Sequence, residues 1–404
     1  MTSERHAPPA SVRWWREDLL ADARAVVVGA GALGNEVVKN LALLGWGTVV
    51  LIDFDRVESG NLGKSVLFTD KDVGRPKVEV ARSAAARLNP GCAVVALDGE
   101  LRTVAGAGLF ARMDVAFGCV DNAAARVALG QLAGLADCLF VDGGLTSWEG
   151  AVRLYAPDDT RPCYVCTLTE EDLGDLTLRH SCLAYARRAQ YGQGVPTTAL
   201  GASVVAALMV QQAVKWIHHD PDALPVRLGE EIRLDLAHDQ YVRTTLPRRE
   251  DCWLHPQAAA PAAAPAEWAR AATDWAGLLG SWRHAANDPD AVLRLPMEIN
   301  ARTTCPACGG TRPVNRVQAS TGGPEDGYGR CADCGGRTVP DLSNVVTGDE
   351  PWIGLSPGET GFPPWSWVET GPGGTADAGA AVHLELPGYP AESELAGLDP
   401  RRRG

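Results

Sequence analysis

The sequence lacks a dense basic block, apart from the short run Arg401, Arg402 and Arg403 near its end. Its 404 residues include 37 basic and 50 acidic side chains, which gives a formal net charge of -13. Proteins that bind nucleic acids or anionic membranes usually present a basic surface. The charge balance therefore argues against both of these functions.

The sequence also lacks an apolar N-terminal stretch behind a basic start, because residues 1–24 are mostly polar. We therefore expect a cytoplasmic protein that is not processed. It has no long uninterrupted apolar run either. The longest apolar-rich stretch, residues 200–217, contains Gln211, Gln212 and Lys215, which a bilayer core would penalise. We interpret this stretch as a buried amphipathic helix.

Cysteine is plentiful, with 11 residues, and its grouping is informative. Disulfides are rare in a reducing compartment, so free thiols or metal ligands are expected. Three C-x-x-C pairs and one C-x-x-H pair account for most of the cysteines. Cys92, Cys119 and Cys138 lie in or beside apolar runs, and we interpret them as core residues.

Short apolar runs alternate with helix-like stretches from Arg24 onward. A run AVVVG, a glycine turn, a helical stretch and a second run, TVVLIDFD, form a strand–helix–strand unit with a right-handed crossover. Further candidate strands cover residues 92–97, 113–120 and 138–144. The alternation predicts an α/β fold with a doubly wound, Rossmann-like, mostly parallel sheet.

Composition divides the chain into five predicted parts. The sequence QAAAPAAAP is typical of a linker, and Gly and Pro dominate the C-terminal end. The parts are an N-terminal extension 1–23, an α/β nucleotide-binding domain 24–256, a linker 257–265, a helix plus zinc-ribbon domain 266–345 and a Gly/Pro-rich tail 346–404.

A glycine-rich turn, Gly29 to Gly34, follows the first strand and begins a helix. Backbone N–H groups at such a turn can face phosphates. Asp53 ends the second strand, where a carboxylate can accept hydrogen bonds from ribose hydroxyls. This pattern alone fits a nicotinamide or flavin enzyme equally well.

Charged residues beyond these strands favour ATP over a dinucleotide. Asn61, Lys64 and Lys77 follow the second strand, and Asp121 follows the candidate strand ending in GCV. Two cations and a carboxylate near a phosphate loop suit Mg²⁺-triphosphate and the charge that develops on leaving pyrophosphate. An NAD(P)-dependent oxidoreductase is a less favoured hypothesis, because it leaves Lys77 and Asp121 unexplained.

Four segments together resemble the ubiquitin-activating superfamily, which includes the adenylating enzymes of thiamin and molybdopterin biosynthesis. They are GAGALGNEVVKNLALLG, LIDFDRVESGNLGKSVLF, VGRPKVEVA and CVDNAAAR, and the resemblance covers residues 13–256. It implies a homodimeric enzyme that uses ATP and Mg²⁺ to adenylate the C-terminal carboxylate of a ubiquitin-like or sulfur-carrier protein. The alternative is adenylation of a ribosomal peptide or small-molecule carboxylate without a thioester. A non-catalytic adaptor that retains the fold is a further hypothesis.

The resemblance also implies roles for individual residues. Gly29, Gly31 and Gly34 form the nucleotide loop, Asp53 holds the ribose, Asn61 and Lys64 contact phosphates, Lys77 stabilises the α-phosphate, Asp121 holds Mg²⁺, and Asn122 and Arg126 shape the nucleotide site. The family usually has Arg at position 64, so Lys64 contributes a point charge without a bidentate fork. An N-terminal arginine reaches the partner's ATP site in such enzymes, and Arg5, Arg13 and Arg16 are candidates here.

Two groups of residues have zinc-ligand spacing. Cys305, Cys308, Cys331 and Cys334 form two C-x-x-C pairs, each followed by Gly-Gly, which is typical of a Cys₄ zinc ribbon. The resemblance implies a second structural zinc on Cys163, Cys166, Cys252 and His255. Four protein ligands leave no open position, so we expect structural or partner-binding roles rather than catalysis.

Cys182 is the candidate thioester nucleophile. It lies in RHSCLAYARR, and the resemblance places the acceptor cysteine of thioester-forming relatives at about this position. Neighbouring Arg179, His180, Arg187 and Arg188 favour the thiolate. The alternative is that Cys182 only packs, because a lone cysteine often does.

Overall fold

The computed structural model describes residues 14–156, 160–170, 197–220, 222–255, 273–317, 329–371 and 382–386, together with residues 393, 395 and 398. The described chain forms two compact units. The first contains residues 14–101 and 110–255, and the second contains residues 102–109 and 273 onward.

The first unit alternates strands and helices up to its fifth strand. In chain order its elements are α1 (Glu17–Asp22), β1 (Arg24–Val28), α2 (Ala32–Leu43), β2 (Thr48–Asp53), α3 (Lys77–Leu88), β3 (Ala93–Asp98), β4 (Val115–Gly118), α6 (Ala123–Leu135), β5 (Leu139–Leu145), β6 (Glu149–Tyr155), α7 (Ala199–His218), β7 (Glu230–Asp235) and β8 (Gln240–Thr245). Two one-turn helices, α4 (Leu101–Val104) and α5 (Ala107–Phe110), precede β4 in the chain, and most of their residues belong to the second unit.

One eight-stranded sheet organises the first unit, in the order β3-β2-β1-β4-β5-β6-β7-β8. The first five strands are parallel, and the remaining pairs are antiparallel. Side chains on β1 and β2 are almost completely buried, as expected for strands covered on both faces. The predicted Rossmann-like, mostly parallel sheet is confirmed.

Polar side chains cap two helices of the first unit at their N-termini. Asn122 accepts a hydrogen bond from Ala125 N at 2.8 Å at the start of α6, and Thr198 accepts one from Gly201 N at 3.1 Å at the start of α7. Such caps satisfy backbone N–H groups that have no partner within the helix.

Helix α7 packs against α2 and β5 inside the first unit. Among the described residues, it is the one helix long and apolar enough to cross a membrane by length and composition alone, and 56% of its apolar stretch is buried in the fold. Gln212 is fully buried, and the two residues that follow it are buried as well. The helix therefore serves as a core element, as the polar residues within it predicted.

The second unit contains an antiparallel five-stranded sheet. Its elements are α8 (Trp275–Ala286), β9 (Val292–Thr304), β10 (Thr311–Val317), β11 (Val339–Val346), β12 (Trp367–Gly371) and β13 (Val382–Glu385). The long strand β9 pairs with β10, β11 and β12, and β13 extends the sheet from β12. Trp275, Trp352 and Phe362 lie in the apolar core of this unit.

This sheet extends beyond the predicted boundary between residues 345 and 346. β11 crosses the boundary, and β12 and β13 come from the segment that the sequence analysis treated as a Gly/Pro-rich tail. Trp352, at 0% exposure, anchors this segment in the core. Burial of a large aromatic side chain compensates for the weak strand propensity of the surrounding glycines and prolines.

Candidate functional site

The switch point of the parallel sheet lies between β1 and β4, which are neighbours although β2 and β3 come between them in the chain. Loops that leave the carboxyl ends of these strands form a crevice, and ligands of such sheets bind there. The glycine loop follows β1, and the turn carrying Asp121 follows β4. The topology therefore brings these two predicted segments to one edge of the sheet.

The glycine loop lies directly against the backbone at the end of β4. Gly29 has a φ of +97°, and a Cβ added there would lie 2.4 Å from the carbonyl oxygen of Cys119. A Cβ at Gly34 would lie 1.8 Å from the carbonyl oxygen of Gly29. Only glycine permits this approach, whereas a Cβ at Gly31 would meet nothing within 4 Å.

Asn35 is a site residue that the sequence analysis missed. It is fully buried, and its Nδ2 donates to the carbonyl oxygens of Ala30 at 2.7 Å and Gly31 at 3.1 Å. Its Oδ1 accepts from Leu67 N at 3.0 Å. One amide therefore joins the glycine loop to the segment that carries Asn61 and Lys64.

Asp53 holds the glycine loop from the end of β2. Its Oδ2 accepts from Ala30 N at 2.6 Å, and its Oδ1 accepts from Asp55 N at 2.7 Å. Burial raises the pKa of Asp53, while these backbone hydrogen bonds and the nearby charge of Lys77 lower it. The carboxylate thus lies next to the glycine loop, and its role toward a ribose stays a prediction.

Lys77 forms an ion pair with a second missed residue, Asp55. The distance from Lys77 Nζ to Asp55 Oδ2 is 2.7 Å. The lysine side chain is only 10% exposed, whereas that of Asp55 is 52% exposed. The IDFD motif contains the signal for Asp55, because the second aspartate directly follows the strand that ends at Asp53.

Asn61 and Lys64 lie in the same loop, beyond β2. Asn61 Oδ1 accepts from Glu58 N at 2.9 Å, and Lys64 N donates to the carbonyl oxygen of Asn61 at 3.1 Å. Both residues are half-buried. The asparagine therefore shapes the backbone that presents Lys64.

Asp121 is exposed in the turn after β4, and Arg126, which supports this turn, is largely buried. Asn122 Nδ2 lies 3.3 Å from Asp121 Oδ1. Arg126 Nη2 donates to the carbonyl oxygen of Val120 at 2.7 Å, and Arg126 Nε lies 2.9 Å from the buried Asp142 Oδ1. Arg126 thus lies behind the turn, which fits the shaping role expected for it. Its role toward a nucleotide stays a prediction.

The cysteines next to the sheet are not arranged as nucleophiles. Cys119 packs against the core, and burial raises the pKa of its thiol well above the usual range. Burial raises the pKa of Cys92 to about 12. Both thiols therefore stay protonated at neutral pH, in keeping with core positions.

The first metal group consists of Cys163, Cys166, Cys252 and His255, whose ligand atoms lie within 4.8 Å of one another. Cys163 Sγ is 3.5 Å from Cys252 Sγ, and Cys166 Sγ is 3.0 Å from His255 Nε2. A tetrahedral zinc site requires sulfur–sulfur separations of about 3.8 Å and sulfur–nitrogen separations of about 3.5 Å. The four residues therefore fit a closed zinc site.

The second metal group consists of Cys305, Cys308, Cys331 and Cys334, at the ends of β9, β10 and β11. Cys305 Sγ lies 3.5 Å from Cys334 Sγ, and Cys308 Sγ lies 3.7 Å from Cys331 Sγ. Gly309 and Gly335 adopt φ values of +73° and +72°, one in each turn. Two matching knuckles thus bring four thiols together. The ten described cysteines are all free thiols, as expected.

Three predicted residues, Cys182, Arg5 and Arg13, lie outside the described residues. The third N-terminal candidate, Arg16, has an exposed side chain paired with Asp18. Its backbone N–H donates to His218 Nε2 at 3.0 Å, which attaches the start of α1 to the end of α7.

A model of the ThiF family matches residues 12–254, more than half of the chain. The chain belongs to the ThiF family. This confirms the resemblance to the ubiquitin-activating superfamily, and the matched range includes the glycine loop, Lys77, Asp121 and the first metal group.

Curated relatives match a part of this ThiF-family chain. Molybdopterin-synthase adenylyltransferase of Escherichia coli (strain K12) is 37% identical over 150 residues, which are 37% of this chain and 60% of the relative. SAMP-activating enzyme E1 of Haloferax volcanii is 34% identical over 151 residues, 37% of this chain and 55% of the relative. The match thus spans little more than half of each relative's length. A crystal structure of E. coli MccB with ATP has a TM-score of 0.49 at 23% identity, covering 59% of this chain and 68% of that one.

The close packing of the glycine loop can be tested by adding a methyl group at each glycine. We expect Gly29→Ala and Gly34→Ala each to lower the free energy of unfolding by about 2–5 kcal/mol, because the added Cβ overlaps backbone atoms. Gly31→Ala is the matched control. It should cost less than about 1 kcal/mol. Urea unfolding followed by circular dichroism measures all three, and wild-type stability of Gly29→Ala would contradict the close approach to Cys119.

Proposed function

We propose that the first unit binds ATP with Mg²⁺ and adenylates a carboxylate, the C-terminus of a small ubiquitin-like or sulfur-carrier protein. The observation that carries the proposal is the meeting of the glycine loop, Asp53 and the buried Lys77 at the same edge of the sheet where the Asp121 turn leaves β4. Membership of the ThiF family and the adenylating activities of the matched relatives support it.

In the proposed reaction a carboxylate oxygen of the substrate attacks the α-phosphorus of ATP. The bond to the bridging oxygen of pyrophosphate breaks, and an acyl-adenylate forms. Negative charge develops on the phosphate oxygens during this step, and a positive group close to them lowers the barrier. Lys77 supplies that group, since its ammonium pairs with Asp55 and its charge acts on Asp53, which binds the glycine loop.

Asp121 would hold Mg²⁺, which supplies charge neutralisation on the phosphates when it is bound. An exposed carboxylate at the end of β4 suits this role, since Mg²⁺ prefers oxygen ligands and keeps several of its waters. Lys64, half-buried beside Asn61, contributes a second positive charge toward the phosphates. Because it is a lysine, this contact has no fixed orientation.

The identity of the carboxylate rests on the relatives. They include molybdopterin-synthase adenylyltransferase and sulfur carrier protein ThiS adenylyltransferase, and the latter is 32% identical over 147 residues. A small protein is therefore the proposed substrate. The second candidate is a ribosomal peptide or small-molecule carboxylate that is adenylated without a thioester. A homodimer with Arg16 near the partner's nucleotide, and a cytoplasmic location, stay predictions.

Isotope exchange between pyrophosphate and ATP tests the adenylation. We expect exchange that depends on an added small protein ending in Gly-Gly. Asp121→Ala and Lys77→Ala should each reduce it about 100-fold or more, because each removes an interaction with developing charge. Lys71→Ala, an exposed lysine in the neighbouring loop, is the matched control and should keep wild-type exchange. Absence of exchange with every such protein, peptide and small carboxylate would refute the proposal.

Cys182 generates a separate prediction about the step after adenylation. If it forms a thioester, incubation with ATP and the substrate protein should give an adduct that a thiol reductant releases. Cys182→Ala should remove the adduct and leave pyrophosphate exchange unchanged, since exchange precedes transfer to sulfur. An adduct that persists in Cys182→Ala would exclude this cysteine.

We also propose that both metal groups hold zinc. Metal analysis should give two zinc ions for each chain. Cys252→Ser and Cys334→Ser should each lose about one ion, because three ligands hold structural zinc weakly. The control is Cys92→Ala, which changes a buried thiol outside both groups and should keep two ions. A content below one ion in the wild-type protein, after purification without chelators, would disagree.

A further inference from the structure

The chain that leaves β3 begins beside Asp53 and then enters the second unit. Strands β2 and β3 are parallel, and Asp53 and Asp98 are neighbours in register at their carboxyl ends. Gly99 N, directly after β3, donates to the carbonyl oxygen of Asp53 at 3.2 Å. Residues 102–109 belong to the second unit. Residues 99–109, which we call the β3–β4 connection, therefore start at the predicted ribose ligand and end inside the second unit.

Two glycines of the β3–β4 connection lie against the backbone that precedes β12. A Cβ added at Gly106 would lie 2.5 Å from the Cα of Ser366, and one at Gly108 would lie 2.7 Å from the carbonyl oxygen of Trp365. Gly108 N donates to that carbonyl oxygen at 2.8 Å. Distances this short leave no room for a side chain at either glycine. Backbone contacts within the second unit therefore hold the connection in one position.

The backbone that receives the two glycines is itself fixed. Trp365 has a φ of +56°, which costs free energy for a bulky residue, and it is only 6% exposed. The carbonyl oxygen of Ser366, a buried residue, accepts from Leu386 N at 2.8 Å. β12 begins at the next residue and pairs with β13. Because this backbone is part of a paired sheet, it can hold the connection without moving with it.

The part of the β3–β4 connection between Asp53 and the two glycines is short and buried. Leu101 is 4% exposed and Ala105 is 2% exposed. The one-turn helix α4 occupies most of the chain between Gly99 and Gly106. A hydrogen-bonded turn with buried side chains does not stretch or bend easily. A displacement at Gly106 is therefore transmitted to the residues beside Asp53.

We propose that the second unit is a positioning element for the nucleoside of ATP. By binding Gly106 and Gly108, the backbone before β12 holds the start of the β3–β4 connection beside Asp53. The inference rests on the proposed function, since it assigns the ribose of ATP to Asp53. A nucleoside bound there lies next to the residues that leave β3, whereas the triphosphate faces the glycine loop. Displacing the connection therefore weakens binding of the nucleoside and leaves binding of the triphosphate intact.

Calorimetry with two ligands tests the inference. The full-length protein with Mg²⁺ is titrated with a non-hydrolysable ATP analogue and, separately, with inorganic tripolyphosphate, which lacks the nucleoside. In Gly108→Ala the affinity for the analogue should fall about fivefold or more, and the affinity for tripolyphosphate should stay unchanged. Gly280→Ala is the matched control, because a Cβ there, on α8 of the second unit, would meet nothing within 4 Å. It should keep both affinities.

Hydrogen exchange of the wild-type protein gives a second measurement, which decides the question even if Gly108→Ala does not fold. A nucleotide whose binding depends on the β3–β4 connection must stabilise that connection in return, because coupling between sites is reciprocal. Saturation with the analogue should therefore slow exchange of the Gly108 amide, the donor to Trp365, about fivefold or more. Saturation with tripolyphosphate should leave its rate unchanged.

The outcomes separate the inference from the proposed function. An equal loss of affinity for both ligands in Gly108→Ala would overturn the inference, since it would show general damage to the fold. A wild-type affinity for the analogue in this variant, or an exchange rate at Gly108 that ignores the analogue, would overturn it too. In each of these cases, pyrophosphate exchange by the wild-type protein would leave the proposed function standing. A wild-type protein that binds neither ligand would refute the proposed function, and the inference with it.

Discussion

The site depends on one close approach of backbone to backbone, between the glycine loop and the end of β4. Gly29 and Gly34 leave space for the carbonyl oxygens of Cys119 and of Gly29 itself, where any side chain would overlap. This contact brings the start of α2 onto the switch point of the sheet, so that backbone N–H groups face the crevice. Asp53 and Asn35 then hold the loop from two sides through hydrogen bonds to Ala30. Neither residue could act without the approach that the glycines allow.

Burial divides the charged pairs of the first unit into two kinds. Asp142 is fully buried with Arg126, so separating this pair would cost several kcal/mol and the pair stays intact. Asp55 is half exposed, and water can solvate it when its partner leaves. In the proposed reaction, Lys77 would leave Asp55 for a phosphate oxygen at little cost. The pair of Lys77 and the half-exposed Asp55 can therefore separate, whereas the buried pair behind the Asp121 turn stays together.

The sequence predicted what depends on neighbours in the chain. The strands of the parallel sheet, the glycine loop and both cysteine groups show local patterns, and the structure has them close to the predicted positions. Asn35 was missed, because a polar residue inside a helix does not reveal that it bonds to Leu67. β12 and β13 were missed because short strands among glycines and prolines show little periodicity.

The two metal groups differ in what their knuckles touch, although each brings four ligand atoms within 4.8 Å of one another. In the second group, the knuckles end strands β9, β10 and β11, and Gly310 and Gly336 pack directly against the thiols. That group therefore lies at one end of the sheet of the second unit. In the first group, Tyr164 lies between the cysteines and is buried, and a Cβ at Gly130 on α6 would lie 3.6 Å from its Cβ. The first group therefore joins a knuckle that packs on a helix to the segment after β8, whereas the second joins strands of one sheet.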